Sequence, residues 1–300
     1  TPSTNTTTGA VVITGGMGVS GAINAAGNIA TSGSISSTGS ILSTTSVFTP
    51  QLYGTSTASG NILIDGTSNA TKGNVLLATA GGSVGIGTTT PSARLNVTDG
   101  SVLFNGTTGA TPVSGTGTRM MWIPSKYAFR AGQIDNSSGG DEWDPANIGD
   151  GSFAVGGNTL ARGSSSIMMG WKNRNTYGNF AVGLGGYNSV DNDGAVGIGS
   201  FNSSTGIGAI ALGDSNTASG DQSKAFGDNL ISGSYKEVAV GSFNSPKASE
   251  NPSAWVTTDP LFVVGNGTAA GPRSNALMIL KNGNVGIGTS TPGSTLTVNG

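Results

Sequence analysis

The sequence of 300 residues contains no cysteine and no histidine. Without cysteine there can be no disulfide, no thiolate metal site and no thiol nucleophile. Without histidine the commonest general base and the commonest metal ligand are missing. Charge is scarce as well: 13 basic and 15 acidic residues make up 9% of the chain and give a net charge of -2. Spread this thinly, the basic residues leave no nucleic-acid footprint. Aromatic residues are 6%. No apolar run approaches the roughly 20 residues that a membrane helix needs, so membrane insertion is not expected. The chain opens on Thr1 without a signal peptide, which reads as part of a longer or processed chain. These absences point away from an enzyme and from any cofactor. They suit an extracellular particle that does not rely on redox chemistry.

What fills the chain instead is glycine, 52 residues of it, together with serine, threonine and asparagine. A composition this polar suggests disorder, but disordered chains usually carry high net charge or much proline. Here spacing is regular. Gly15, Gly21, Gly27, Gly33 and Gly39 fall six apart, and Met17, Ile23, Ile29, Ile35 and Ile41 follow in step, with Val47 continuing the series. Such hexads read as a β-helical shaft over 1–50. One apolar side chain in six does not offset the entropy of ordering six backbones, so each column of isoleucine must face others. Either one chain coils on itself or three chains wind about one axis. No stretch keeps a 3.6-residue period, and glycine and β-branched residues are too frequent for helix.

A second repeat, of about 14 residues, runs over 151–245. Gly156, Gly170, Gly185, Gly199, Gly213, Gly227 and Gly241 mark seven coils. An apolar residue precedes each: Val155, Met169, Leu184, Ile198, Leu212, Phe226 and Val240. Before that comes a small residue, with Met168 the exception. Asn173, Asn188, Asn202, Asn216 and Asn244 follow three places after the glycine, where they suit turn capping. Phe153, Ile167, Val182, Val196, Ile210 and Val238 form a further apolar ladder that Lys224 interrupts. Fourteen residues suit one coil of two short strands and two tight turns. The glycines are expected to supply left-handed turns, and alanine and glycine to line a narrow interior.

Between and after the repeats lie three other segments. A module at 51–104 and the stretch 246–300 share a gapless match, NVLLATAGGSVGIGTTTPSARLNV against NALMILKNGNVGIGTSTPGSTLTV. Each copy reads as a hairpin-like unit with a Thr-Pro turn. The VGIG sequence lacks the following helix that a dinucleotide fingerprint requires, and reads as a close backbone approach at an axis between chains. Residues 105–150 are an aperiodic connector. It gathers Asp135, Asp141, Glu142, Asp144 and Asp150. Paired carboxylates suit glycoside hydrolysis or an oxygen-liganded cation, which makes Asp141, Glu142 and Asp144 the candidates. The alternative is a solvated loop capping the first coil, and the spacing matches no EF-hand. Exposed aromatics on a rigid surface suit sugar or protein partners. Trp171, Tyr177, Tyr187, Phe201 and Trp255 are the candidates, joined by Trp122 and Trp143 unless these fill the connector's core.

The repeats FAVGGNTLARG, AVGIGSFNSSTG, AIALGDSNTASG and VAVGSFNS resemble the head repeats of trimeric autotransporter adhesins of the YadA type. Hexads like GNIATSGSISSTG and the NVGIGTSTP sequence resemble those of phage tail fibres. The resemblance implies an all-β homotrimeric fibre with a hexad β-helical shaft, a β-rich connector and a left-handed parallel β-roll. It further implies attachment to a host glycan or protein, alongside other fibre or tail components. A bacterial surface adhesin is the alternative, and a tailspike glycosidase a more distant one. The helical stalk and membrane barrel of the autotransporters are not in the sequence, nor is the self-cleaving chaperone domain that often follows a terminal NVGIGT module in fibres.

Overall fold

A computed structural model of the chain describes residues 77, 81–269 and 271–299. The hexad repeat and most of the first NVGIGT-type module lie outside the described residues. The chain divides into two compact units, Thr1–Asn96 and Val97–Gly300. The described part of the first contributes Val84–Ile86, which pairs with Leu95–Val97 in a two-stranded sheet.

The second unit is a parallel β-solenoid extended at both ends. Seven five-residue strands run down one wall: Phe153–Gly157, Ile167–Trp171, Val182–Gly186, Val196–Ser200, Ile210–Asp214, Lys224–Asp228 and Val238–Ser242. After each of the first six comes a two-residue strand on a second wall, from Leu160–Ala161 to Ile231–Ser232. Both walls pair in parallel, coil upon coil, without a register slip. Among the described residues there is no α-helix, only three short 3-10 turns.

The interior is as thin as the small residues require. Ala154, Met168, Ala211, Ala225 and Ala239 point inward from the long strands and are fully buried, as are Ala161, Val190 and Ala218 from the short ones. Coils with glycine at the inward position borrow volume from a neighbour. A Cβ on Gly183 would lie 2.7 Å from Met168 Sδ, and one on Gly197 would lie 2.9 Å from Val190 Cγ1. Neighbouring side chains thereby fill the space without a large core.

The repeat glycines do not act as turn residues. Gly156, Gly170, Gly185, Gly199, Gly213, Gly227 and Gly241 sit inside strands in one register column, with φ between 98° and 154°. A Cβ on any of them would drive into the carbonyl oxygen of the next glycine in the column. The left-handed turn falls two residues later, on Asn158, Lys172, Tyr187, Phe201, Ser215, Asn229 and Phe243. Glycine is therefore needed for the close approach of coils, and the turn tolerates a side chain: Tyr187 and Phe201 are exposed there, and Asn158 is buried against the connector through Asp135 and Ser137.

Between the glycine and the short strand, asparagine builds a buried ladder. Asn202 Nδ2 donates to Ile198 O at 3.1 Å and to Gly213 O at 2.9 Å, and Asn202 Oδ1 accepts from Asn216 N at 3.1 Å. The same pattern repeats at Asn188 and Asn216. Each side chain thus satisfies backbone groups that the bend leaves unpaired and that would be costly to bury otherwise.

Both ends of the solenoid are closed by the same sheet. At the first, an antiparallel hairpin of Gly117–Ile123 and Ala128–Ile134 joins the long-strand wall in parallel with Phe153–Gly157. Arg130 reaches from this hairpin into the open end of the first coil. It is fully buried and donates to Ser152 O, Ser152 Oγ, Ala161 O and Phe129 O at 2.8–3.1 Å. Burial lowers its pKa to about 10, so the guanidinium stays charged at neutral pH. Trp143 folds over the same end, fully buried, with its indole N–H on Thr159 O at 2.9 Å.

At the other end Pro260–Asn266 continues the wall in parallel, and Asn275–Leu280 and Val285–Ile287 follow antiparallel. Leu296–Val298 then pairs with Val285–Ile287 in parallel. The hairpin of the C-terminal NVGIGT-type module is therefore formed by Asn275–Leu280 and Val285–Ile287, and the strands on either side of Thr-Pro, expected to form it, run parallel. The chain after Thr-Pro loops back to the start of the sheet edge and runs in the same direction. The tight backbone approach at VGIG is to the chain's own turn, since a Cβ on Gly286 would lie 2.6 Å from Thr289 O.

Candidate functional site

Two surfaces carry features that folding of one chain leaves unused. The first is the outer side of the long-strand wall, a single sheet of thirteen strands. Strand alternation sends every second residue outward. Register pairing lines these up in two columns. One runs Trp122, Phe129, Phe153, Ile167, Val182, Val196, Ile210, Lys224, Val238, Phe262, Ile279, Val285 and Leu296. The other runs Met120, Ala131, Val155, Met169, Leu184, Ile198, Leu212, Phe226, Val240, Val264, Leu277, Ile287 and Val298.

Only Lys224 is polar, and none of these residues is buried. Met120 is 71% exposed and Val298 62%. At about 4.8 Å per strand the face is on the order of 60 Å long. Monomeric soluble proteins rarely show a continuous apolar patch of this extent. The single cation avoids spoiling it by bending away, with Lys224 Nζ donating to Gln222 O at 2.7 Å. Trp122, a binding candidate unless it filled the connector's core, lies in this outward column and not in the core, because its strand position alternates with buried Met121 and Ile123.

The second surface is a cleft of about 270 Å³ where the connector meets the short-strand wall. Asp141 and Glu142 line it from the connector, and Arg162, Lys172 and Arg174 from the first two coils. Glu142 is 4% exposed, and neither of its carboxylate oxygens has a hydrogen-bond partner. Burial pushes its pKa up; its own backbone N–H and Arg174 oppose this, and Asp141 and Asp135 add to it. Arg174 Nε donates to Thr176 Oγ1 at 3.1 Å. Lys172 Nζ lies 5.6 Å from the Tyr187 ring centroid. No ion pair among the described residues engages Arg162, Lys172 or Arg174.

The other carboxylates of the connector are occupied elsewhere. Asp135 caps a turn through Ser137 N at 2.7 Å and accepts from Asn158 Nδ2 at 2.9 Å. Asp144 accepts from Gly115 N at 2.7 Å, and Asp150 pairs with Lys126 at 3.3 Å. Among the described residues no three acidic side chains converge to hold a metal ion.

The aromatic candidates are dispersed. Tyr187 and Phe201 stack one coil apart at the turn edge, with ring centroids 4.8 Å apart and planes 8° from parallel. Trp171 lies against the Cα of Gly157 on the preceding coil, where a Cβ would meet its ring. Tyr177 is 75% exposed, and Trp255 lies under the Lys281 ammonium at 5.4 Å. Trp143 is core.

Sequence reasoning missed the three cations of the cleft, Arg162 from the first coil and Lys172 and Arg174 from the second, with no motif linking them. It also missed a buried polar cluster near the C-terminal end. There Glu237 Oε2 accepts from Gly233 N and Ser234 N, both at 2.9 Å, and Oε1 is unpartnered. Burial, reinforced by the neighbouring Glu250, pushes the Glu237 carboxyl up to about 8. Lys247 and Asp259 pair alongside at 2.9 Å, and Lys281 Nζ reaches Ser234 Oγ at 3.3 Å. In comparison with known proteins, the chain matches no protein-family model, no curated protein and no solved structure.

Proposed function

We propose that this chain is a segment of a homotrimeric extracellular fibre, of the kind found in phage tail fibres, that attaches to a host surface. The observation that carries the reading is the outward apolar face of the thirteen-stranded sheet. A face of that length needs a cover, and copies of the same chain supply one with matching length and pitch. In a closed ring each copy's long-strand wall turns toward the axis, and the polar short-strand walls face water. Three left-handed rolls side by side is the arrangement implied by the resemblance to YadA-type head repeats. The role is mechanical and adhesive: a rigid rod presents connector and turns to a host glycan or protein, with other fibre components joined at its ends. Three identical weak sites gain avidity from being linked.

The test is native mass by light scattering. A species near 88 kDa, three times 29.4 kDa, is expected. A species near 29.4 kDa at micromolar concentration would overturn the reading.

A further inference from the structure

We infer that the cleft between the connector and the first two coils is a binding subsite for a carboxylated sugar, a hexuronate-type unit of a polysaccharide. The inference rests on the attachment reading for the ligand's source, and on the cleft itself for the ligand's chemistry.

Size comes first. A volume of about 270 Å³ equals roughly nine waters at ~30 Å³ each, enough for one monosaccharide ring and too little for a folded partner. Charge comes next. Three cations and two carboxyl groups line the cleft, and none of the cations is taken up by an ion pair among the described residues. A planar guanidinium offers two parallel N–H donors that match a carboxylate. Arg174, which lines the cleft, holds its Nε on Thr176 Oγ1 at 3.1 Å, and its terminal nitrogens have no hydrogen-bond partner among the described residues.

The third observation is Glu142. A carboxyl this deeply buried with both oxygens unpartnered is an expensive group to keep, and it lies on the cleft's wall beside Asp141. It needs donors. Sugar hydroxyls are donors that a carboxyl can take in pairs. A ligand with one carboxylate and adjacent hydroxyls therefore satisfies the arginines and Glu142 together. A bare anion answers only the arginines, and a neutral sugar only Glu142.

The cleft opens on the short-strand side, away from the apolar columns, so association through the long-strand wall leaves it accessible. Each copy carries a complete site.

The experiment is saturation-transfer NMR on the full chain with methyl glucuronide, methyl glucoside and glucose 6-sulfate. Transfer to methyl glucuronide is expected, with at least tenfold weaker binding of the glucoside and of the sulfate. The double variant R162Q/R174Q should lose binding at least tenfold, and E142Q should weaken the glucuronide while leaving the preference over the glucoside in place. Light scattering and circular dichroism on each variant establish that fold and mass are unchanged. Equal binding of glucuronide and glucoside, stronger binding of the sulfate, or no transfer to any of the three would overturn the inference. A monomeric mass with glucuronide bound would sink the fibre reading alone, and a trimer that binds no glucuronide would sink this one alone.

Discussion

On the long-strand wall, three neighbouring coils show Leu184, Ile198 and Leu212 to the outside; on the short-strand wall the same coils show Ser189, Ser203 and Thr217. Both walls point small residues inward: Gly183, Gly197 and Ala211 from one, Val190, Ser204 and Ala218 from the other. The interior therefore does not explain the difference, because it is filled equally from both sides. What differs is the medium each outer face is built to meet. The short-strand face is hydrated, whereas the long-strand face gains stability only if something removes it from water.

The largest effect should come from attacking that asymmetry directly. Replacing Val196 and Ile198 together by aspartate places two charges on the apolar face of each copy. Both side chains point outward, so the monomer should still fold, and light scattering should show the mass fall from about 88 kDa to 29.4 kDa. Ser203→Asp on the other wall should leave the mass unchanged. Loss of the trimer in both variants, or in neither, would remove the distinction between the walls.

Next in size is the glycine column, which tests the coil contacts within one wall. Gly199→Ala puts a methyl into the carbonyl oxygen of Gly213 at a φ of 114°. Overpacking and backbone strain together should cost about 3 kcal/mol or more in denaturant unfolding. Gly186→Ala is the control, because its Cβ would meet only Trp171 O at 3.7 Å, and it should cost under ~1 kcal/mol.

Glu237 gives a smaller, pH-dependent effect away from both outer faces. Its carboxyl is raised in the folded state to about 8, above its value in the unfolded chain. Proton binding then favours folding, so the stability it contributes is full below about pH 4.5 and is lost as pH rises through 8. Glu237→Gln keeps an acceptor for Gly233 N and Ser234 N and removes the charge facing Glu250. Its melting temperature should match the wild type at pH 4 and exceed it at pH 9 by the equivalent of about 2–4 kcal/mol. A parallel pair of curves from pH 4 to 9 would count against a buried, titrating Glu237.

The smallest effect concerns the ladder joining the two walls. Asn202→Ala removes donors to Ile198 O and Gly213 O and the acceptor for Asn216 N. It should cost about 1–3 kcal/mol. Leu230 occupies the matching place one coil beyond Asn216, so a hydrophobic replacement such as Asn202→Leu should cost less than the alanine. Equal losses would mean that hydrogen bonding rather than packing sets the value of this column.

Much of this was legible in the sequence. The spacing of Gly156 through Gly241 marked seven coils, and the alanine or glycine two places before each of them, except at Met168, pointed to a narrow interior. The role of those glycines was not legible. Turn and close-approach glycines look alike in a sequence, and only strand register shows that Gly199 meets Gly213. Nor did the sequence show that the apolar columns run past the repeat. Trp122, Phe129 and Ile279 lie outside the 14-residue period, and hydrogen bonding to the end coils is what puts them in line. The cleft was partly visible as Asp141 and Glu142, but not as a place where Arg162, Lys172 and Arg174 meet them.

By itself the sequence determined the class of fold. A fixed period, a missing 3.6-residue pattern and a shortage of bulky side chains leave a backbone held by ladders as the one ordered solution. Tertiary structure decided which side chains share a surface. Residues 14 apart become neighbours about 4.8 Å apart once strands stack, so the coil geometry, and not the local sequence, turned scattered apolar residues into one continuous face.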